Sequence, residues 1–350
     1  MELNNRHVVI MAGGIGSRLW PISTPEYSKQ FIDVMGCGCS LLQSTINRFL
    51  PLCPIEHIWV VTSLKDVDAV HEQLPDLPTE NILAEPEPRS TAPCIGYACW
   101  KIMKKYPKAN IVVTPSDALV VHTDEFHRVI EHALEFTEKN SAIVTIGIKP
   151  DRPETGYGYI CTGLQARENE LTKVQAFKEK PDLNTARLYL EAGNYFWNAG
   201  IFVWNTDTIL SSFRTYTPNL ADVMDEMAKD FYTEQEKSTL ARLFPTCEKI
   251  SIDYAVMEKA NYIYTIPADF GWSDLGSWNA LYIMLAKDEN GNAVVGGNVR
   301  LVNCKNCIVH TSGKKKVVLE GLEDSIVAER NGKLLICKRY EDKRIQEFAR

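Results

Sequence analysis

Short apolar runs and amphipathic stretches alternate through the first 150 residues. His7–Met11, His57–Thr62, Asn81–Ala84, Asn110–Thr114 and Ala142–Ile148 have the pattern of strands buried on both faces. Between them, Ser40–Leu50, Lys65–Leu74, Ser90–Tyr106 and Thr123–Asn140 carry apolar residues at helical spacing. Ser90 or Thr91 is placed to cap the third of these helices, and Thr123 or Asp124 the fourth. Strand followed by helix, repeated, predicts an α/β fold with a largely parallel sheet covered on both faces. Such sheets bind ligands beyond the carboxyl ends of their strands.

After residue 150 the pattern is mixed. Tyr157–Cys161, Val174–Phe177 and Gly200–Trp204 are strand-like, whereas Asn184–Glu191 and Thr217–Lys229 are helical, the last with Thr217 as cap and Pro218 in its first turn. This part is expected to be an insertion that completes a pocket rather than a separate domain. From about Gly291 short apolar groups recur every eight to ten residues with Gly, Asn, Asp and Lys between them, as in Leu301-Val302, Cys307-Ile308-Val309, Val317-Val318-Leu319 and Ser325-Ile326-Val327. They predict a stack of short strands, a partial β-helix, with a small β-sandwich as the alternative. The chain therefore divides into a large domain, 1–288, and a tail, 289–350.

Charge and composition narrow the function. Lys and Arg number 38 against 45 Asp and Glu, a net charge of −7 in 350 residues, so broad electrostatic binding of nucleic acid is not expected. Any phosphate ligand must be held by a few local cations. No apolar run approaches the roughly 18 residues that a membrane span needs, and the polar start Met1–Arg6 is unlike a signal peptide. A cytoplasmic protein is expected, with its ten cysteines as thiols. Cys37-x-Cys39 and Cys304-x-x-Cys307 are possible metal pairs, but neither has a partner pair or His at zinc-site spacing.

The sharpest motif is Ala12-Gly13-Gly14-Ile15-Gly16-Ser17-Arg18-Leu19-Trp20-Pro21, directly after the first strand. Its glycines allow a tight turn whose N–H groups form an anion nest, and Arg18 adds a permanent charge with a bidentate fork for phosphate. It is not a Walker A loop, which needs Lys after its last glycine. It is not a dinucleotide fingerprint either, since Leu19 stands where the third glycine belongs. A tight turn with an exposed Arg is the plain alternative. Lys29, in Ser28-Lys29-Gln30-Phe31, is expected to bring a second cation back over the same phosphates, with a solvated Lys as the alternative.

Two acidic positions complement the cations. Asp117 follows the strand Asn110–Thr114, and Asp274 lies in Phe270-Gly271-Trp272-Ser273-Asp274-Leu275-Gly276-Ser277-Trp278, where two glycines predict a bent backbone. Two carboxylates from distant segments suit Mg²⁺, which completes its shell with waters and phosphate oxygens. Either Asp alone could equally be a helix cap or turn residue. Further on, Glu179 can accept from vicinal hydroxyls of a sugar, Lys180 can neutralise a phosphate monoester, and Asn198 offers both a donor and an acceptor. Gly156 and Gly158 permit close backbone approach. Tyr157, Tyr159, Phe196 and Trp197 are either a stacking platform for a sugar or, the preferred reading, core.

Together these residues carry a resemblance. Gly13-Gly14-x-Gly16-x-Arg18-Leu19-Trp20-Pro21, Lys29-Gln30-Phe31, Glu85-Pro86…Arg89-x-Thr91-Ala92-Pro93, Phe177-x-Glu179-Lys180-Pro181, Asn198-Ala199-Gly200-Ile201-Phe202 and Gly271-Trp272-x-Asp274-x-Gly276-Ser277-Trp278 resemble, in order, the mannose-1-phosphate guanylyltransferase (GDP-mannose pyrophosphorylase) branch of the sugar nucleotidyltransferases. The chain departs from that pattern at Thr24, Ser28, Ser90 and Ala118. The resemblance implies a Rossmann-like nucleotide-diphospho-sugar transferase sheet with a small left-handed β-helix-like tail. It implies transfer of GMP from GTP to mannose 1-phosphate, giving GDP-mannose and pyrophosphate, with Mg²⁺ on Asp117 and Asp274. Ala12, Gly13, Gly14, Gly16, Ser17, Glu85, Arg89, Thr91 and Asp117 would hold the nucleotide, with the Glu85–Pro93 segment by the guanine. Gly158, Glu179, Lys180 and Asn198 would hold the sugar phosphate, and Arg18, Lys29 and Lys180 would serve catalysis. Another sugar 1-phosphate, or a silent nucleotide-sugar sensor, remain alternatives. A chain ending at Arg350 is expected to have one activity, without the isomerase domain of some relatives, and its strand-rich tail could pair with a second copy.

Overall fold

A computed structural model describes residues 5–14, 17–163 and 166–348. The chain folds as two compact units that are not collinear with the sequence. One comprises residues 1–13, 47–115 and 120–272, the other residues 14–46, 116–119 and 273–350.

The first unit is built on a nine-stranded sheet. Its strands are β1 (Arg6–Ala12), β2 (Ile58–Ser63), β3 (Ile82–Glu85), β4 (Asn110–Pro115), β5 (Ile143–Ile148), β6 (Tyr159–Thr162), β7 (Thr172–Lys178), β8 (Tyr195–Asn205) and β9 (Ile263–Ala268). Their spatial order is β3-β2-β1-β4-β8-β5-β9-β7-β6. The β3-β2-β1-β4 half is parallel, as the alternation of strand and helix predicts. β8 then runs antiparallel to both β4 and β5. The middle of the chain, expected as an insertion rather than a separate domain, is thus part of this sheet. It supplies strands within it.

Helix α1 (Leu41–Phe49) has residues in both units, and α2 (Val67–Gln73), α3 (Thr91–Lys105), α4 (Thr123–Lys139), α5 (Leu183–Ala192), α6 (Thr206–Tyr216), α7 (Pro218–Ala228) and α8 (Glu236–Leu243) belong to this one. Its core gathers Trp59, Trp100 and Trp204 with Ile95, Phe202, Phe213 and Met224, all fully buried. Close packing is visible at Gly96, where an added Cβ would lie 3.2 Å from the end of Met224.

The expected caps differ. Ser90 takes the cap position of α3 at φ +69° but makes no cap bond. The Thr91 hydroxyl instead accepts from the Ile252 N–H at 2.9 Å. The cap position of α4 is His122, which leaves Thr123 and Asp124 inside its first turn. Thr217 precedes Pro218 as expected, but its hydroxyl donates backwards to the Phe213 carbonyl at 3.2 Å, because α6 and α7 are joined by that one residue.

A buried histidine gives this unit an acid-sensitive point. His7 is stacked on His57 at 4.2 Å, and its Nδ1 accepts from Trp59 Nε1 at 3.2 Å. Burial, then the nearby His57, pushes the His7 pKa down to about 3. The unfolded chain therefore binds one more proton than the folded one between about pH 6.5 and about 3, and this contribution to stability is lost as pH falls through that window. Glu85 and Asp253, raised by burial to about 7 and about 6, act with the opposite sign. Against a His7→Asn variant, which keeps an acceptor for Trp59, the wild type should lose up to about 1.4 kcal/mol per pH unit in the acid limb. Denaturant titrations at pH 7, 6 and 5 measure this, and parallel curves for the two proteins would rule it out.

The second unit contains the tail and the segments 14–46 and 116–119. Its strands are β10 (Ala293–Val295), β11 (Val299–Val302), β12 (Ile308–His310), β13 (Val317–Glu320), β14 (Ser325–Arg330) and β15 (Lys333–Lys338). β10, β12 and β14 pair in parallel, Ala293 with Ile308 and Ile308 with Ile326, and β11 pairs in parallel with β13. Stacked parallel strands repeating every 15 to 18 residues fit a β-helix, and the sandwich alternative falls. Asn298, Asn303, Asn306 and Asp324 turn corners at positive φ, where short polar side chains are tolerated best after glycine. Cys304 and Cys307 donate to the carbonyls of Leu319 and Leu322 on the next rung. All ten cysteines are free thiols. Among the described residues no helix is long and apolar enough to cross a membrane.

Candidate active site

In the second unit, the chain leaves the glycine loop through a single 3-10 turn, Ser17–Leu19. Leu19 is fully buried and anchors the turn, while Arg18 is exposed. Gly16 lies outside the described residues, as does the side chain of Ser17.

Lys29 departs from the expectation of a cation reaching out to phosphate. It opens a second 3-10 turn, Lys29–Phe31, and is buried at 3% exposure. Its Nζ is 2.8 Å from Asp117 Oδ2 and donates to the Asp274 carbonyl at 2.7 Å. The Leu275 carbonyl lies 3.4 Å away. Three acceptors thus surround the ammonium. The two acidic segments singled out in the sequence meet at this lysine, and a pair of main-chain bonds between Leu119 and Ser273, at 2.8 and 3.1 Å, holds them side by side.

The bent backbone expected around Asp274 is present. Gly276 N–H donates to Asp274 Oδ1 at 3.0 Å, and a Cβ on Gly276 would lie 2.3 Å from Asp274 Oδ2. Only glycine at 276 leaves the carboxylate where it is. Asp117 and Asp274 fit a hard divalent ion such as Mg²⁺. Both offer carboxylate oxygen, and the Asp117 side chain is one-third exposed beside its lysine. Among the described residues no group of three or more His, Cys, Asp or Glu is arranged to hold a metal. A metal on these two aspartates would need waters or substrate phosphate oxygens to complete its shell.

In the first unit, Gly13 follows β1 and Glu85 ends β3, at carboxyl ends of the parallel half of the sheet. A Cβ on Gly13 would lie 3.4 Å from Glu85 Oε2. Among the described residues Glu85 Oε1 is buried without a partner, and burial pushes the pKa of this carboxyl up to about 7. Arg89 is ion-paired to Glu87, and its buried Nε has no partner among the described residues.

A second group in this unit gathers at the ends of β6 to β8. Glu179 closes β7, its side chain nearly buried, and is ion-paired to the exposed Lys180, whose backbone has φ +42°. A Cβ on Gly158 would meet Glu179 Oε2 at 2.5 Å and Asn198 Cβ at 3.5 Å. The Asn198 N–H donates to the Gly158 carbonyl at 2.8 Å. Gly158, Glu179, Lys180 and Asn198 therefore form one cluster, as the sequence suggested. Phe196, Trp197 and Tyr159 are buried, which supports core for them, while Tyr157 is half-buried edge-on to Trp197 and Trp272.

The cluster has a member that sequence reasoning missed. Asp253 begins a five-residue π-helical turn, and its Oδ1 accepts from Asn198 Nδ2 at 3.3 Å. Burial first, then the Glu179 charge, raises its pKa to about 6. A cavity of about 550 Å³ also lies in this unit, lined by Lys149, Tyr195, Phe196, Pro267 and Asp269 among others. Of the residues weighed for the site in the sequence, Phe196 alone is on that lining.

The nucleotidyl transferase family matches residues 7–291. The chain belongs to this family. A mannose-1-phosphate guanylyltransferase of Salmonella montevideo is 38% identical over 341 residues, covering 94% of this chain and 70% of that protein. One from Escherichia coli is 34% identical over 339 residues, covering 95% of this chain and 72% of the other. The crystal structure of a protein described as a mannose-1-phosphate geranyltransferase, from Thermus thermophilus, superposes with a TM-score of 0.88 at 28% identity and 98% coverage of both chains. The resemblance drawn from the motifs is borne out, and so is the Rossmann-like nucleotidyltransferase fold.

Proposed function

We propose that the chain transfers GMP from GTP to α-D-mannose 1-phosphate, releasing pyrophosphate and giving GDP-mannose. The observation that carries this reading is the meeting of Asp117 and Asp274 at the Lys29 ammonium. An oxygen of the sugar phosphate attacks the α-phosphorus in line. The bond from that phosphorus to the bridging oxygen breaks, and pyrophosphate leaves with the electron pair. The nucleophile is already anionic at neutral pH, so no side chain has to take a proton from it.

The main-chain N–H groups of the 12–17 loop and the fork of Arg18 favour the triphosphate and the leaving pyrophosphate. Lys29 holds the Asp117 carboxylate and the Asp274 main-chain carbonyl, and so sets the two segments in place. When bound, Mg²⁺ on Asp117 and Asp274 supplies further compensation of phosphate charge. Glu85 suits guanine, whose ring N–H and amino group are two donors for one carboxylate with an oxygen that has no partner among the described residues. Arg89 and Thr91 belong to the same nucleotide side. Glu179 and Asn198 hold the sugar, and Lys180 its phosphate.

In this reading residues 1–288 carry catalysis and 289–350 form the tail, the enzyme is cytoplasmic, and a second copy of the chain pairs with it. Pyrophosphate release is the test, with GTP, ATP, UTP or CTP crossed with mannose, glucose, fucose and heptose 1-phosphates, with and without EDTA. Release with GTP and mannose 1-phosphate, abolished by EDTA, is expected. Release only with another pair overturns the substrate, and binding of GDP-mannose with no release for any pair overturns the activity.

Gly158→Ala tests the sugar side separately. The new methyl would displace Glu179 Oε2, which lies 2.5 Å from its position. KM for mannose 1-phosphate should rise about tenfold with KM for GTP little changed, the signature of lost binding to one substrate. An unchanged KM for the sugar phosphate would remove Glu179 from this role.

A further inference from the structure

We infer that Asp253 is a positioning residue for sugar recognition: it fixes the Asn198 side chain so that the amide presents a hydrogen-bond donor, not an acceptor, to the sugar. The inference rests on the proposed sugar-phosphate transfer and names how its acceptor is read. Asn198 Oδ1 is already taken. It accepts from the Gly200 N–H at 3.0 Å and from the Thr145 hydroxyl at 3.1 Å. A main-chain N–H can only donate, so the atom facing Gly200 must be the amide oxygen, and the orientation of the side chain follows. On the other side, Nδ2 gives one hydrogen to Asp253 Oδ1 at 3.3 Å. Among the described residues, one N–H of Asn198 remains for a ligand.

Asp253 is itself held. The Thr91 hydroxyl accepts from the Ile252 N–H, and the Ala92 N–H donates to the Ile250 carbonyl at 3.1 Å, so the start of α3 pins the segment that carries it. The sugar hydroxyl met by Asn198 must therefore accept there, which leaves its own hydrogen for a carboxylate, and Glu179 lies against Gly158 in the same cluster. A site in which one donor and one acceptor are both fixed distinguishes the orientation of a hydroxyl better than an amide free to flip.

The experiment compares wild type, Asp253→Asn, Asn198→Ala and the double variant, with each KM measured separately. Asp253→Asn keeps an acceptor oxygen but loses the charge-assisted bond, and its own amide can turn either way. It should raise KM for mannose 1-phosphate about tenfold and leave KM for GTP within about twofold. In the Asn198→Ala background the same change should have no further effect, because Asp253 acts through Asn198. The charged groups facing Asp253 are Glu179 and Lys180, with Ser251 on its own segment. As Asp253 takes up a proton near pH 6, kcat/KM for the sugar phosphate should fall in the wild type relative to Asp253→Asn. The ratio cancels the ionisation of the substrate itself.

Equal rises in both KM values, or a full extra penalty on top of Asn198→Ala, would mark Asp253 as merely structural and overturn the inference. So would a normal KM for the sugar phosphate. A wild type that releases no pyrophosphate with any sugar phosphate overturns the parent reading, and this shows before any variant is made.

Discussion

Lys29→Met is expected to lower turnover on the order of 10³-fold, a loss as large as that of one preorganised donor at a reacting centre, although Lys29 acts by positioning the segments of Asp117 and Asp274. The physical reason is specific to the place of this lysine. Its ammonium touches Asp117 Oδ2 and the Asp274 carbonyl, so it joins the segment after β4 to the segment after residue 272. Methionine has nearly the length of lysine and no charge. It would leave the Asp117 carboxylate and the main-chain carbonyls of Asp274 and Leu275 without the donor they share. The fold should weaken too, since removing one partner of a buried ion pair costs about 3–5 kcal/mol. Here the lower end applies, because the Asp117 side chain is one-third exposed and water can take over part of its solvation. Lys29→Arg should not restore the enzyme, since a planar five-donor fork does not fit a pocket of three acceptors arranged around a point charge. Turnover and thermal melting, measured on the same preparations, separate the two effects. A Met variant that melts lower but turns over normally would reduce Lys29 to a structural role.

That junction also shows what a sequence can and cannot disclose here. Asp117 and Asp274 stood out as acids at bends, and Lys29 as a cation near a glycine loop, from residue type and position alone. The reach of Lys29 could not be read. A lysine in a polar turn looks solvated, and its burial follows from a unit assembled out of residues 14–46, 116–119 and 273–350. The cluster of Gly158, Glu179 and Asn198 was legible because glycines mark close approach and the motif order is preserved.

Asp253 was not legible. Its neighbours Ser251, Tyr254 and Glu258 give it the look of a solvated helix face, and its partner Asn198 lies 55 positions away on a strand. β9 was missed because Ile263–Ala268 contains Pro267, which argues against a central strand. The structure places that proline opposite Gly147, close to the end of the pairing with β5. α6 was missed because Thr206–Tyr216 is rich in Ser and Thr, poor helix formers. It forms because Asn205 caps it, accepting from the Thr208 N–H at 2.8 Å, and because Ile209, Leu210 and Phe213 are buried. The Asn-x-x-Thr spacing before that apolar trio was the available signal.

Arg18→Ala should cut turnover by about 10²-fold, by analogy with the loss of one oxyanion donor. It is the opposite case to Lys29. Arg18 is exposed and its turn is anchored by the buried Leu19, so the fold should melt at nearly the wild-type temperature. The loss should appear mainly in kcat. In the ground state the triphosphate can also be held by the main-chain N–H groups of the loop, which the substitution keeps. Charge builds on the leaving pyrophosphate only as its bond to the α-phosphorus breaks, and a group that answers that charge contributes little before then. Arg18→Lys should recover part of the rate, since it restores the charge without the bidentate fork. Steady-state kinetics with GTP varied at saturating mannose 1-phosphate distinguish the outcomes. A rise in KM for GTP at constant kcat would make Arg18 a binding residue only, and near-normal kinetics would remove it from the site. A fall in kcat with KM held would place its contribution in the transition state, where an exposed, permanently charged side chain costs the resting fold nothing.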